Sequence, residues 1–192
     1  MAYAGVKITA NSSDYQAQMK SAANAMKVLS AEYTSAAAQA KAYGKETDGL
    51  KVKAESLTQK ITVQSKIVQM NGEQQERLTK KLSEQKDEQE KLKAKIDDAR
   101  AAYEKSEKET GKNSEQTKAL AKELDDLEQQ YKLNETAIGR TETALANQTV
   151  KTEKSKASLT DMKRELKEVN EELKNHKLNK FADACNSAGE KV

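Results

Sequence analysis

From Leu50 to Leu173 the inward-facing positions recur at alternating steps of four and three, and the 192-residue chain contains no proline. That spacing puts one stripe of side chains along an α-helix and defines a heptad seam. An interior proline would break such a helix at about 3 kcal/mol. A chain with this pattern is constrained to long helices whose stripes pack on one another. Composition agrees: residues are 34% charged and only 35% hydrophobic, rich in Ala, Glu, Lys, Gln and Leu, with a net charge of +3. A compact domain of this length ordinarily approaches half apolar, and the small net charge argues against disorder through self-repulsion.

The first seam runs Tyr15, Met19, Ala22, Met26, Leu29, Tyr33, Ala36, Ala40 and Tyr43. "NSSD" offers capping oxygens before it, and Gly44 is placed to end it in a left-handed cap. The spacing predicts an amphipathic helix from Ser13 to Tyr43, in a region 13–44, preceded by an extended segment over 1–12. Thr47 or Asp48 is the expected N-cap of the next helix. The second seam holds Leu50, Leu57, Ile61, Leu78, Leu82, Leu92, Ile96 and Tyr103, with Ala54, Gln64, Val68, Asn71, Gln75, Gln85, Gln89 and Ala99 between them. It stops near "ETGKNSEQ", where Gly111 suits a helix end and Asn113 or Ser114 a new start. The third seam holds Leu120, Leu124, Leu127, Tyr131, Leu145, Leu159, Met162, Leu166 and Leu173, interleaved with Thr117, Asn134, Ile138, Thr141, Gln148, Thr152, Ser155 and Val169.

If the chain folds back between Gly111 and Lys112, facing residue numbers total 223. Tyr103 then meets Leu120, Ile96 meets Leu127, Leu92 meets Tyr131, Ile61 meets Met162 and Leu57 meets Leu166. Polar positions also oppose one another: Gln89 and Asn134, Gln75 and Gln148, Asn71 and Thr152. A buried amide without a partner costs about 1–3 kcal/mol, so this matching favours the register. Mixed layers remain at Gln85 with Ile138 and Gln64 with Leu159. We therefore expect an all-α chain with an antiparallel coiled-coil hairpin over 48–180. Its tip falls at 110–114, each arm has about 60 residues and reaches roughly 90 Å by helix rise, and residues 181–192 form a frayed tail. The four-three phase also runs unbroken across both turns, which would let the chain form one continuous rod when neighbouring copies fill the seam.

Chemistry is poorly represented. The glycines are scattered and make no phosphate loop. One histidine, His176, and one cysteine, Cys185, cannot build a metal centre or a triad. The carboxylates are interleaved with lysine on open faces, where nothing perturbs them. We expect no enzyme activity, no catalytic residues and no cofactor or metal. Basic residues are balanced by acidic ones and lack stacking aromatics, so nucleic-acid binding is not expected. No stretch reaches the ~20 apolar residues of a membrane span, and a lone cysteine fits a reducing compartment.

The opening "GVKITANSSDYQAQMKSAANAM" resembles the N-terminus of bacteriophage tail tape-measure proteins and their relatives in phage-tail-like particles. The shared pattern is a short alternating segment at Val6, Ile8 and Ala10, followed by a capped helix with Tyr15 and Met19 on one face. "YGKETDGLKVKAESLTQKI" is similar to the family's glycine-containing break before a leucine-rich heptad helix. "AYEKSEKETGKNSEQTKALAKELDDLE" is similar to its turn between coiled-coil arms. The likeness covers about the first 180 residues.

The resemblance implies a structural virion or prophage protein that lies in the lumen of the tail tube and sets tube length. It implies homo-oligomers, partners in the tail tube protein and tail-assembly chaperones, and a place in host cytoplasm during assembly. Family members are several times longer and carry apolar or lytic segments that these 192 residues lack. "NKFADACNSAGEKV" shows no terminating pattern, so a truncated frame is expected. The alternative expectation is a generic cytoplasmic coiled-coil spacer or adaptor that binds a partner helix through its seams.

Overall fold

The computed structural model describes the backbone of residues 12–43 and 46–189 and the side chains of 13–43 and 46–179. The expected extended segment before residue 12, the Gly44 cap and the Cys185 side chain lie outside those residues. Three helices make up the fold: α1 (Ser12–Ala42), α2 (Glu46–Thr110) and α3 (Glu115–Gly189). The chain is all-α, and no strand occurs among the described residues.

The turn between α2 and α3 follows from its sequence. Gly111 has φ of 81°, the left-handed region, and its N–H donates to Glu107 O at 3.0 Å. That is the single-bond glycine C-cap. Of the two N-cap candidates the structure selects Ser114. Its Oγ accepts the Thr117 N–H at 3.1 Å and its carbonyl accepts the Lys118 N–H at 3.0 Å. A Cβ at Gly111 would meet nothing, so its requirement is conformational. Gly72, inside α2, has no positive φ, and a methyl added there would have no neighbour within 4 Å. Gly111→Ala is therefore expected to destabilise by about 1–2 kcal/mol. Gly72→Ala should stabilise by about 0.5–1 kcal/mol through helix propensity. Thermal melts of the two variants test the contrast, and equal shifts would refute it.

The helices group into two units, Met1–Glu73 with Lys151–Val192, and Gln74–Val150. The second is a two-helix antiparallel hairpin. Its register is fixed by Ser106 against Thr117 at 2.9 Å and by Asn134 Nδ2 donating to Gln89 Oε1 at 2.8 Å. Both pairs total 223. Leu92, Ile96 and Ala99 are buried along this seam.

The first unit has three helices, where the sequence pattern anticipated a two-helix base with a separate first helix. The same register holds between its parts of α2 and α3, where Thr152 Oγ1 donates to Asn71 O at 3.4 Å. In addition α1 packs antiparallel on α2: a Cβ at Gly49 would stand 3.6 Å from Ala40 Cβ, Lys60 Nζ lies 5.6 Å from the Tyr33 ring centre, and Tyr15 reaches Asn71. The reason is a second four-three seam on α2, through Gly49, Lys53, Ser56, Lys60, Val63, Ile67 and Met70. Every member is buried or half-buried, with Val63 and Met70 in the core. Gly49 and Ala40 allow close approach of two backbones, while the Lys53 ammonium pairs with Glu165 and the Lys60 ammonium lies over the Tyr33 ring.

Three further boundaries differ from expectation. Helix α2 starts at Glu46, ahead of Thr47 and Asp48. Tyr43, counted in the first seam, follows the end of α1 and is 77% exposed. Residues 181–189, expected to fray, continue α3 as helix, in keeping with a stretch that has no proline.

Candidate functional site: the polar layers of the helical seams

The anticipated seam residues of α2 and α3 are buried or half-buried. Leu57, Leu92 and Ile96 are buried. Leu50, Ile61, Leu78, Leu82, Tyr103, Leu120, Leu124, Leu127, Tyr131, Leu145, Leu159, Met162, Leu166 and Leu173 are half-buried, as suits helices covered on one side only. The most enclosed side chains are polar. Asn71 is 2% exposed and Thr117 1%, and Gln64, Ser106, Thr141, Gln148, Thr152 and Ser155 are also buried. These layers are the unusual feature of the molecule.

In the three-helix unit the layers join into one network. The Tyr15 hydroxyl on α1 donates to Asn71 Oδ1 at 2.6 Å, and Asn71 Nδ2 donates to Ser155 Oγ on α3 at 3.1 Å. Ser155 Oγ donates on to Thr152 O at 2.8 Å. Two turns earlier on α2, Gln64 Nε2 donates to Ser155 O at 2.8 Å. This explains how Gln64, set level with apolar Leu159, is tolerated: its amide reaches along the groove to a backbone carbonyl. A satisfied buried network of this kind specifies which residues meet, because any slip strands its members.

The two-helix unit repeats the idea with separate clusters. Asn134 Nδ2 also donates to Gln85 O at 2.8 Å, while Gln85 Oε1 is buried without a hydrogen-bond partner, so the Gln85–Ile138 layer stays unfavourable. At the tip, the hydroxyls of Ser106, Thr110, Ser114 and Thr117 bond one another at 2.7–3.4 Å. Hydroxyls at these seam positions close the tip by hydrogen bonding where a leucine pair would close it by burial.

Ion pairs bridge the flanks of the seams: Lys53 to Glu165 at 2.8 Å, Lys86 to Glu142 at 3.0 Å and Arg100 to Glu128 at 3.0 Å. Each is partly exposed and contributes ~1 kcal/mol or less. The Glu165 hydrogen bond raises the Lys53 pKa above its ordinary 10.5, opposed by partial burial and helped by the charge of Glu165, then Tyr33 and Glu172. At the tip, a hydrogen bond from Lys112 to Glu107 likewise raises the lysine's pKa.

Catalytic geometry is not evident at any of these layers. Among the described residues no group of three or more His, Cys, Asp or Glu side chains could hold a metal ion, and no helix is long and apolar enough to cross a membrane. His176 is half-buried near the end of the described α3 side chains. No known protein family, curated protein or solved structure matches this chain.

The second α2 seam was not found by sequence reasoning. Its signal was present as steps of four and three from Gly49 to Met70, but four of its seven members are Gly, Lys or Ser and give no apolar signal.

Proposed function

We propose that this chain is part of a tail tape-measure protein, a structural component that sets tail tube length during assembly. The reading starts from the likeness of the opening stretch and both turn regions to that family. Its strongest support is the pairing of polar layers in register. Hydroxyl and amide layers hold helices in one alignment with modest apolar burial, so partner helices can be exchanged without loss of heptad phase. A ruler needs that phase, because a helix converts residue number into distance at about 1.5 Å per residue. On this reading the partners are other copies, the tail tube protein, and assembly chaperones that cover the seams before the tube encloses them.

The test is an in-frame deletion of residues 75–88 together with 135–148 in the gene of the particle. Two heptads leave each arm and the pairing of the rest is kept. Tail length by electron microscopy is expected to fall by about 42 Å if the assembled chain is a continuous helix, or about 21 Å if it stays folded back. Unchanged tails would exclude the ruler and favour the spacer. Cysteines placed at Ile96 and Leu127 separate the two assembled forms: cross-linking in free chain and its loss in tails marks the extended form.

A further inference from the structure

Asn71 and Gly72 form the single Asn-Gly step in the chain. They sit at the centre of the three-helix network, with Asn71 2% exposed and held through Oδ1 by Tyr15 and through Nδ2 by Ser155. Gly72 has no structural justification, because its φ is not left-handed and a methyl there would touch nothing within 4 Å. A helix interior disfavours glycine. The distinctive consequence of this residue is chemical: with no side chain, its amide nitrogen is the least hindered nucleophile toward the neighbouring Asn carboxamide.

We propose that Asn71–Gly72 is a self-modification site, a deamidation switch closed by the three-helix unit and opened when α1 undocks. The Gly72 amide gives its proton to solvent base and attacks Asn71 Cγ. A C–N bond forms, the Cγ–Nδ2 bond breaks, and Nδ2 leaves as ammonia, giving a cyclic succinimide. Water then adds to either ring carbonyl and yields aspartate or isoaspartate. No oxidant or reductant is involved. In the folded unit the Gly72 N–H lies within the α2 backbone ladder and both atoms of the carboxamide are engaged, so reaction requires local opening.

The product does not fit the site it came from. Aspartate places a carboxylate where an amide donated to Ser155, and isoaspartate inserts a backbone methylene into α2. Either change disfavours re-docking of α1, since burying a charge without a matched partner is unfavourable. Opening followed by reaction is therefore one-way. This inference stands on the network alone and holds whether or not the chain measures a tail.

The test incubates the full chain in mildly alkaline buffer, with and without denaturant, and follows peptides by mass spectrometry for replacement of NH2 by OH. Asn71 is expected to react at least about tenfold slower in buffer, in proportion to the open population. Tyr15→Phe, which removes one tie, is expected to speed the reaction in buffer about fivefold while helix content by circular dichroism stays unchanged. Gly72→Ala, which favours the helix, should nearly abolish the reaction in denaturant as well. Equal rates at Asn71 in folded and denatured chain would overturn the proposal. So would faster modification at Asn113 or Asn186 in denaturant, or no slowing by Gly72→Ala.

Discussion

Leu92→Ala is expected to lower the unfolding free energy of the two-helix unit by about 2–4 kcal/mol. Leu92 is 4% exposed and level with Tyr131 in the 223 register. Truncation removes its transfer free energy and leaves a gap that two rigid helices cannot close. The effect is large because the layers on one side are polar: Gln89 with Asn134 is satisfied but adds little net stability, and Gln85 carries an unpaired oxygen. Leu133→Ala is the control. Leu133 is 71% exposed, and its truncation should stay within about 0.5 kcal/mol. Urea midpoints followed by circular dichroism decide the matter. If the two variants shift alike, the seam is not the core of this unit.

Asn71→Ala is expected to destabilise the three-helix unit by about 1–3 kcal/mol, and Tyr15→Phe by about 1 kcal/mol. The Tyr15 hydroxyl on α1 and the Ser155 hydroxyl on α3 meet at one amide, so its removal strips a partner from each. The double variant should lose less than the sum of the two, because the residues share a bond. Hydrogen exchange gives the sharper readout: amide protection across α1 should fall more than protection across α3. Strict additivity, with even loss of protection over the three helices, would show that α1 is not held by this link.

The α2–α3 pairing was legible before any coordinates. Counting from Gly111 placed Gln89 on Asn134 and Asn71 on Thr152, and hydrogen bonds fall there. Antiparallel pairing of two heptad stripes has one free parameter, the position of the turn, and a glycine with a following serine cap sets it. The mixed layers were less legible. Whether Gln64 would find a partner depended on reach along the groove to Ser155 O, a matter of side-chain length and rotamer that opposition of residue numbers does not contain.

The docking of α1 lay beyond the pattern. Its own seam was plain from Tyr15 to Ala40, but the surface that receives it is built from Gly49, Lys53, Ser56 and Lys60 as much as from Val63, Ile67 and Met70. Hydropathy reveals a helix face only when its members are apolar, and this face works through close backbone approach and aliphatic stems under charged heads. The order of residues thus dictated the helices, the turn at Gly111 and the α2–α3 register, since these depend on local propensity and a one-dimensional repeat. The choice of a third helix, and the meeting of Tyr15, Asn71 and Ser155, arose from packing in three dimensions, where fit between surfaces outweighs the polarity of the residues that form them.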